Sequence, residues 1–151
     1  MSDIEIIEQP VDDPAPTLAK VQALESVLRE LPQEDLPLQH YYPAGLYARR
    51  MFQPEGVALV GKMHRLAHLT VLLRGDMTIF AEGQRERITA PHVWVSEPGA
   101  KRAIFSHTDC ELMTVHPNPK DLRDLDELEA YLIQPHALEI EFMEELKRIC
   151  A

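Results

Sequence analysis

The spacing of apolar residues changes period twice along the chain. Leu18, Val21, Leu24, Leu28 and Leu31 recur every three or four residues. That spacing predicts an amphipathic helix, which Thr17 can cap and Pro32 ends. From Leu46 the period shortens towards two. Runs at Leu46–Phe52, Val57–His64, Ala67–Arg74, Asp76–Ala81, Gln84–Thr89, Val93–Ser96, Lys101–Phe105 and Cys110–His116 read as short strands. Turn signals separate them: Pro54-Glu55-Gly56, Gly75-Asp76, Glu82-Gly83, Ala90-Pro91, Pro98-Gly99 and Ser106–Asp109. About eight strands at roughly 8–12-residue spacing predict an all-β sandwich or barrel. After Pro117 the helical period returns. Leu122, Leu125, Leu128, Tyr131 and Leu132 share a face, with Asp121 and Asp124 near the positive helix start. Gln134-Pro135 breaks that helix, and Leu138–Ile149 predicts a last one whose apolar face covers the β domain or a second subunit.

Three regions follow: an N-terminal arm and helix over 1–36, a β domain over 37–117 and a helical tail over 118–151. Pro10, Pro14 and Pro16 with Asp12 and Asp13 predict an irregular arm over the first 16 residues. The net charge of −10 divides along the same lines, −7 over 1–36, +2 over 37–116 and −5 over 117–151. Strand alternation divides the basic residues of the middle segment between two faces. An acidic chain without a single basic face argues against a nucleic-acid partner. Cys110 and Cys150 stand in no paired motif, which suggests free thiols in a reducing compartment. The acidic start lacks the pattern of a signal peptide, and no apolar run is long enough to span a membrane. A cytoplasmic protein is the expectation.

The chemistry lies in G-K-M-H-R-L-A-H-L-T-V-L-L-R-G, Gly61 to Gly75. His64 and His68 sit inside an apolar run, where a buried imidazole needs a partner. On one continuous strand they share a face. A bend at Arg65-Leu66 would place them on adjacent strands that still converge. Two ligands do not close a metal site, and His116, at the end of the last predicted strand, is the first candidate for a third. His107 and His92, in or beside turns, are weaker candidates. Two readings stay open. The rings hold a divalent metal, with Zn, Fe, Ni and Mn all compatible with imidazole, or they are structural residues hydrogen-bonded to backbone or to Glu97.

The G-K-M-H…H…G segment, with the later V-W-V-S-E-P-G-A-K-R turn, resembles the cupin superfamily over about residues 45–116. Gly75 fits the closing glycine of the first cupin motif, and His64 its second histidine. His68 stands where the family has glutamate, and Lys62 where it has the first histidine. In the second motif Pro98-Gly99 supplies a compressed turn, Arg102 stands at the histidine position and Ser106 at the asparagine position. A narrower resemblance, from about Tyr47 to His116, is to small cupin-like proteins of phages and prophages. The resemblance implies an all-β, cupin-type double-stranded β-helix, or jelly roll, with flanking helices, and a homodimer.

Lys62 and Arg102 beside the imidazoles would suit a carboxylate or phosphate, with Arg102 bidentate. Solvent exposure is the alternative for Lys62 and the plainer reading for Lys101, and a structural ion pair with Arg102 the plainer one for Glu97. Tyr47 and Trp94 are further candidate ligand-lining residues, core packing being the alternative for Trp94. Cys110 reads as a small buried side chain. Two functional classes result. One is a protein binding a small polar or anionic molecule through a metal on His64, His68 and His116. The other is a non-catalytic, phage-type accessory or sensor protein that uses the barrel as a scaffold.

Overall fold

The computed structural model describes residues 14–81, 84–134 and 148–149. The expected features over residues 1–13, the Glu82-Gly83 turn, the break at Pro135, Cys150 and most of the last helix lie outside them. Among the described residues, nine strands divide between two antiparallel sheets. The five-stranded sheet contains β1 (Leu38–Tyr41), β2 (Leu46–Gln53), β9 (Cys110–Pro117), β4 (His68–Arg74) and β7 (His92–Ser96), in that order. The four-stranded sheet contains β3 (Ala58–Val60), β8 (Ala103–Ser106), β5 (Asp76–Ala81) and β6 (Gln84–Thr89), in that order. Two helices flank them, α1 (Pro14–Glu30) and α2 (Leu125–Leu132).

The inner faces follow directly from alternation. On β9, Cys110, Leu112, Thr114 and His116 are buried while their neighbours are only partly so. On β4 the buried positions are His68, Thr70 and Leu72. Met51, Leu72, Met77, Ile88, Ile104, Cys110 and Leu112 form the core between the sheets. Each buried apolar side chain of this kind stabilises the fold by roughly 1.5–3 kcal/mol. The core fills one end of the sandwich. Towards the other end the same inner face turns polar, through Thr70, Thr114, His68 and His116.

Gly75 links β4 to β5, and so one sheet to the other. Its φ is +99°, and a Cβ there would stand 2.5 Å from the Asp109 carbonyl oxygen and 2.6 Å from Cys110 Sγ. Only glycine fits such a crossing.

The helical ends differ from their sequence reading. α1 starts at Pro14, so Thr17 lies inside the helix and does not cap it. Pro14 and Pro16 occupy the first turn, where the missing N–H costs little because it has no intrahelical acceptor. α2 is capped by Asp124, whose carboxylate accepts from the Glu127 N–H. Leu128 and Leu132 are buried against Tyr47, while Leu125 is half exposed. β1 was not expected. The predicted strand from Val57 to His64 shortens to Ala58–Val60, which leaves His64 in the loop that follows. Lys101 is also buried, its ammonium 2.6 Å from Glu25 of α1, against the solvent-facing reading.

Candidate metal centre

His68 opens β4 and His116 nearly closes β9. The pairing Leu69 with Val115 sets the register between these strands, and one step further brings His68 beside His116. His64 arrives differently. The chain bends at Arg65-Leu66, and residues 63–65 are stitched to the end of α2. The Arg65 N–H donates to the Leu132 carbonyl at 2.8 Å, and the Gln134 N–H donates to the Met63 carbonyl at 2.8 Å. His64 and Ile133 form the bridge between those bonds. The bend, not the continuous strand, is what brings the two histidines together.

The three rings converge. Their centroids are 4.3 Å apart for His64 and His68, 4.5 Å for His68 and His116, and 5.0 Å for His64 and His116. One nitrogen from each lies within 4.8 Å of the others. A tetrahedral metal with nitrogens at about 2.0–2.1 Å would draw them to roughly 3.4 Å, a closure of little more than an ångström.

Burial is the first cause of the electrostatics here. It pushes His64 and His68 down to about 4 and His116 down to about 3. For His64 and His116 the neighbouring imidazoles add to the effect. The charge of Arg49 lowers all three, and that of Arg102 lowers His64 and His68. At neutral pH the rings are therefore uncharged, the form in which a lone pair is open to a metal. His68 Nδ1 is buried with no hydrogen-bond partner among the described residues. Leaving such a nitrogen unsatisfied costs about 1–3 kcal/mol, and a metal ion is one way of recovering it. His116 Nε2 lies 2.9 Å from Thr114 Oγ1. If that nitrogen carries the proton, the lone pair sits on Nδ1, and the threonine orients the ring as a second shell would. The donor set therefore fits a divalent ion of the Zn, Fe, Ni or Mn kind.

The other predicted residues are placed as follows. Tyr47 is buried opposite His116, stacks on it at 5.8 Å and meets His40 Nδ1 with its hydroxyl at 2.7 Å. Burial raises its pKa, so the phenol stays protonated. Arg102 donates to Ser96 Oγ, which is 2.7 Å from Thr70 Oγ1. Ser96 pairs in register with His68, so Arg102 is held on the same rung as that ring. Lys62 is exposed and ion-paired with Glu129 of α2, at the edge of the cavity that His64 lines. Trp94 packs against the core and lines a separate cavity with Glu97 and Arg102. His92 meets the Trp94 ring in a tilted contact, and His107 hydrogen-bonds Thr78 on the other sheet. Neither joins the cluster.

Arg49 was missed. It sits two residues from Tyr47 on β2, opposite Thr114 of β9 and His40 of β1, on the inner face. Period two was the available signal: Tyr47, Arg49, Met51 and Gln53 share one side of the strand. The Arg49-Arg50 pair masked it, since only Arg50 faces out, to Glu111 at 2.6 Å.

Two facing antiparallel sheets with this strand order define a double-stranded β-helix, the fold of the cupin superfamily. Solved structures bear this out. The plu4264 protein of Photorhabdus luminescens superposes with a TM-score of 0.52 at 10% identity, over 60% of this chain and 82% of its own. A cupin superfamily protein of Desulfitobacterium hafniense gives 0.50 at 12% identity, over 61% and 85%. A cupin 2 conserved barrel domain protein of Salinispora arenicola gives 0.50 at 17% identity, over 68% and 91%. These likenesses establish the fold. No protein-family profile and no curated sequence matches the chain. Among the described residues, no helix is long and apolar enough to cross a membrane.

Proposed function

We infer that this protein holds a divalent metal on His64, His68 and His116 and presents it to a small anionic molecule. The convergence of three neutral imidazoles, those of His68 and His116 buried and that of His64 partly so, with one unpartnered nitrogen among the described residues, carries the reading. The anion follows from charge. A dication beside Arg49 and Arg102 concentrates positive charge in a partly dry space, and an anionic ligand offsets it. When bound, the metal would act as a Lewis acid that polarises and orients an oxygen of that ligand. The chain's own residues provide the surroundings. Thr114 orients His116, Ser96 holds Arg102 beside His68, and Tyr47 walls the site with a neutral ring. The third ring comes from β9, outside both cupin motifs, while Lys62 and Arg102 occupy two of the motif positions.

Elemental analysis of the untagged protein, as purified and after exposure to Zn, Fe, Ni or Mn, tests this. Wild type is expected to hold close to one equivalent, and His64→Ala/His68→Ala essentially none. Metal-free wild type after every reconstitution would refute it. That result would favour the scaffold reading, an accessory or sensor protein of the phage type, for which the cationic motif positions are the support.

A further inference from the structure

Beneath α2 lies a cavity of about 410 Å³. It falls at the lower end of the range for small-molecule sites, roughly 300–1,000 Å³. His64 and Arg49 line it at one side. Most of the remaining wall is apolar, with Leu59 and Met51 below and Leu125 and Leu128 of α2 above. Among the described residues Glu129 is its one acidic member, and that carboxylate is paired with Lys62. Arg49 has no hydrogen-bonded or ion-paired side chain among the described residues. A guanidinium stays charged at any accessible pH and offers two parallel N–H donors to a carboxylate. The cavity lined by Arg102 is different. It is smaller, about 210 Å³, and holds Glu86 and Glu97, which compete for the same cation.

We propose that the cavity beneath α2 takes a monocarboxylate with an apolar body, its carboxylate on Arg49 and its hydrocarbon against Leu59, Leu125 and Leu128. The proposal rests on the metal reading for the neighbouring rings and names the class of ligand they would face. Phosphate and other compact anions fit less well. They need donors on every side, whereas here the polar residues, Arg49 with His40, Tyr47, His64 and the Glu129-paired Lys62, share the wall with a larger apolar part that includes Leu59, Leu125 and Leu128. A neutral apolar molecule would leave the Arg49 charge without a partner.

Octanoate is the probe, titrated calorimetrically into the full chain, both zinc-loaded and metal-stripped. Octanamide, acetate and inorganic phosphate are the comparators. Octanoate is expected to bind the zinc-loaded protein at least tenfold more tightly than any of the three. Arg49→Gln should weaken octanoate at least tenfold and leave the zinc content unchanged. Leu125→Glu, at a half-exposed wall position, should weaken octanoate and spare acetate. Equal affinity for octanoate and octanamide, a preference for phosphate, or unchanged binding in Arg49→Gln overturns the proposal. Stoichiometric zinc without octanoate binding overturns it while the metal reading stands. Octanoate binding that depends on Arg49 in a protein that takes up none of Zn, Fe, Ni and Mn supports the ligand class and overturns the metal reading.

Discussion

Metal affinity should be nearly insensitive to pH over a range where ordinary histidine sites lose it. An imidazole with a pKa of about 6.5 is only about 9% neutral at pH 5.5, so protons compete strongly for it. Three such ligands would together cost roughly 600-fold in affinity between about pH 7 and pH 5.5. Here burial holds His64 and His68 at about 4 and His116 at about 3. All three then remain more than about 90% neutral at pH 5.5, and the expected loss is less than about twofold. Cobalt(II) titration followed by its visible absorption, at about pH 7 and again at pH 5.5, measures the ratio directly. A fall of a hundredfold or more would mean that the rings are solvated, and the argument from burial would be wrong.

The metal-free protein should behave in the opposite way. Its unfolded rings take up protons from about pH 6.5 downward, whereas the folded rings resist until about 4. The stability these rings contribute is present in full above about pH 6.5 and drains away as pH falls towards 4. Melting temperature against pH should show that slope, and His116→Asn should flatten it; a flat wild-type profile would contradict the assigned burial. Gly75→Ala forces a side chain to within 2.5 Å of the Asp109 carbonyl oxygen at positive φ. It should cost at least about 3 kcal/mol in urea unfolding, and a loss below about 1 kcal/mol would show that the crossing relaxes. Glu25→Ala leaves the Lys101 ammonium buried without its partner, for a loss of about 3 kcal/mol. Glu25→Ala/Lys101→Met should recover most of it, and failure to recover would mean that the pair matters only for packing.

The barrel strands were legible because turn residues bracket short runs of β-type residues. Asp76–Ala81 and Gln84–Thr89 appear as predicted, and Cys110–His116 gains one residue. β1 was not legible. Leu38–Tyr41 is a short edge strand with one apolar aliphatic residue, and its pairing with β2 is what makes it a strand. His116 could be named because a strand end with inward parity points at the same space as His68. Arg49 needed the strand's parity to be trusted over its charge. The burial of Lys101 depends on where α1 docks, a long-range fact that no local pattern carries. The role of α2 was hidden for the same reason. Its apolar face predicts that it covers something, and only the backbone bonds to Met63 and Arg65 show that it covers the loop carrying His64.

That loop ties two events together. His68 and His116 are fixed by sheet strands, whereas His64 is held between its carbonyl's bond from the Gly99 N–H at 2.9 Å and the bonds that join Met63 and Arg65 to the end of α2. Ligation and helix docking are then coupled through that loop. Whatever factor a docked α2 adds to metal affinity, the bound metal must return to the docking of α2. The occupancy of a buried centre would thus be readable at the surface as order in a helix, with the Lys62–Glu129 pair as its outermost stitch.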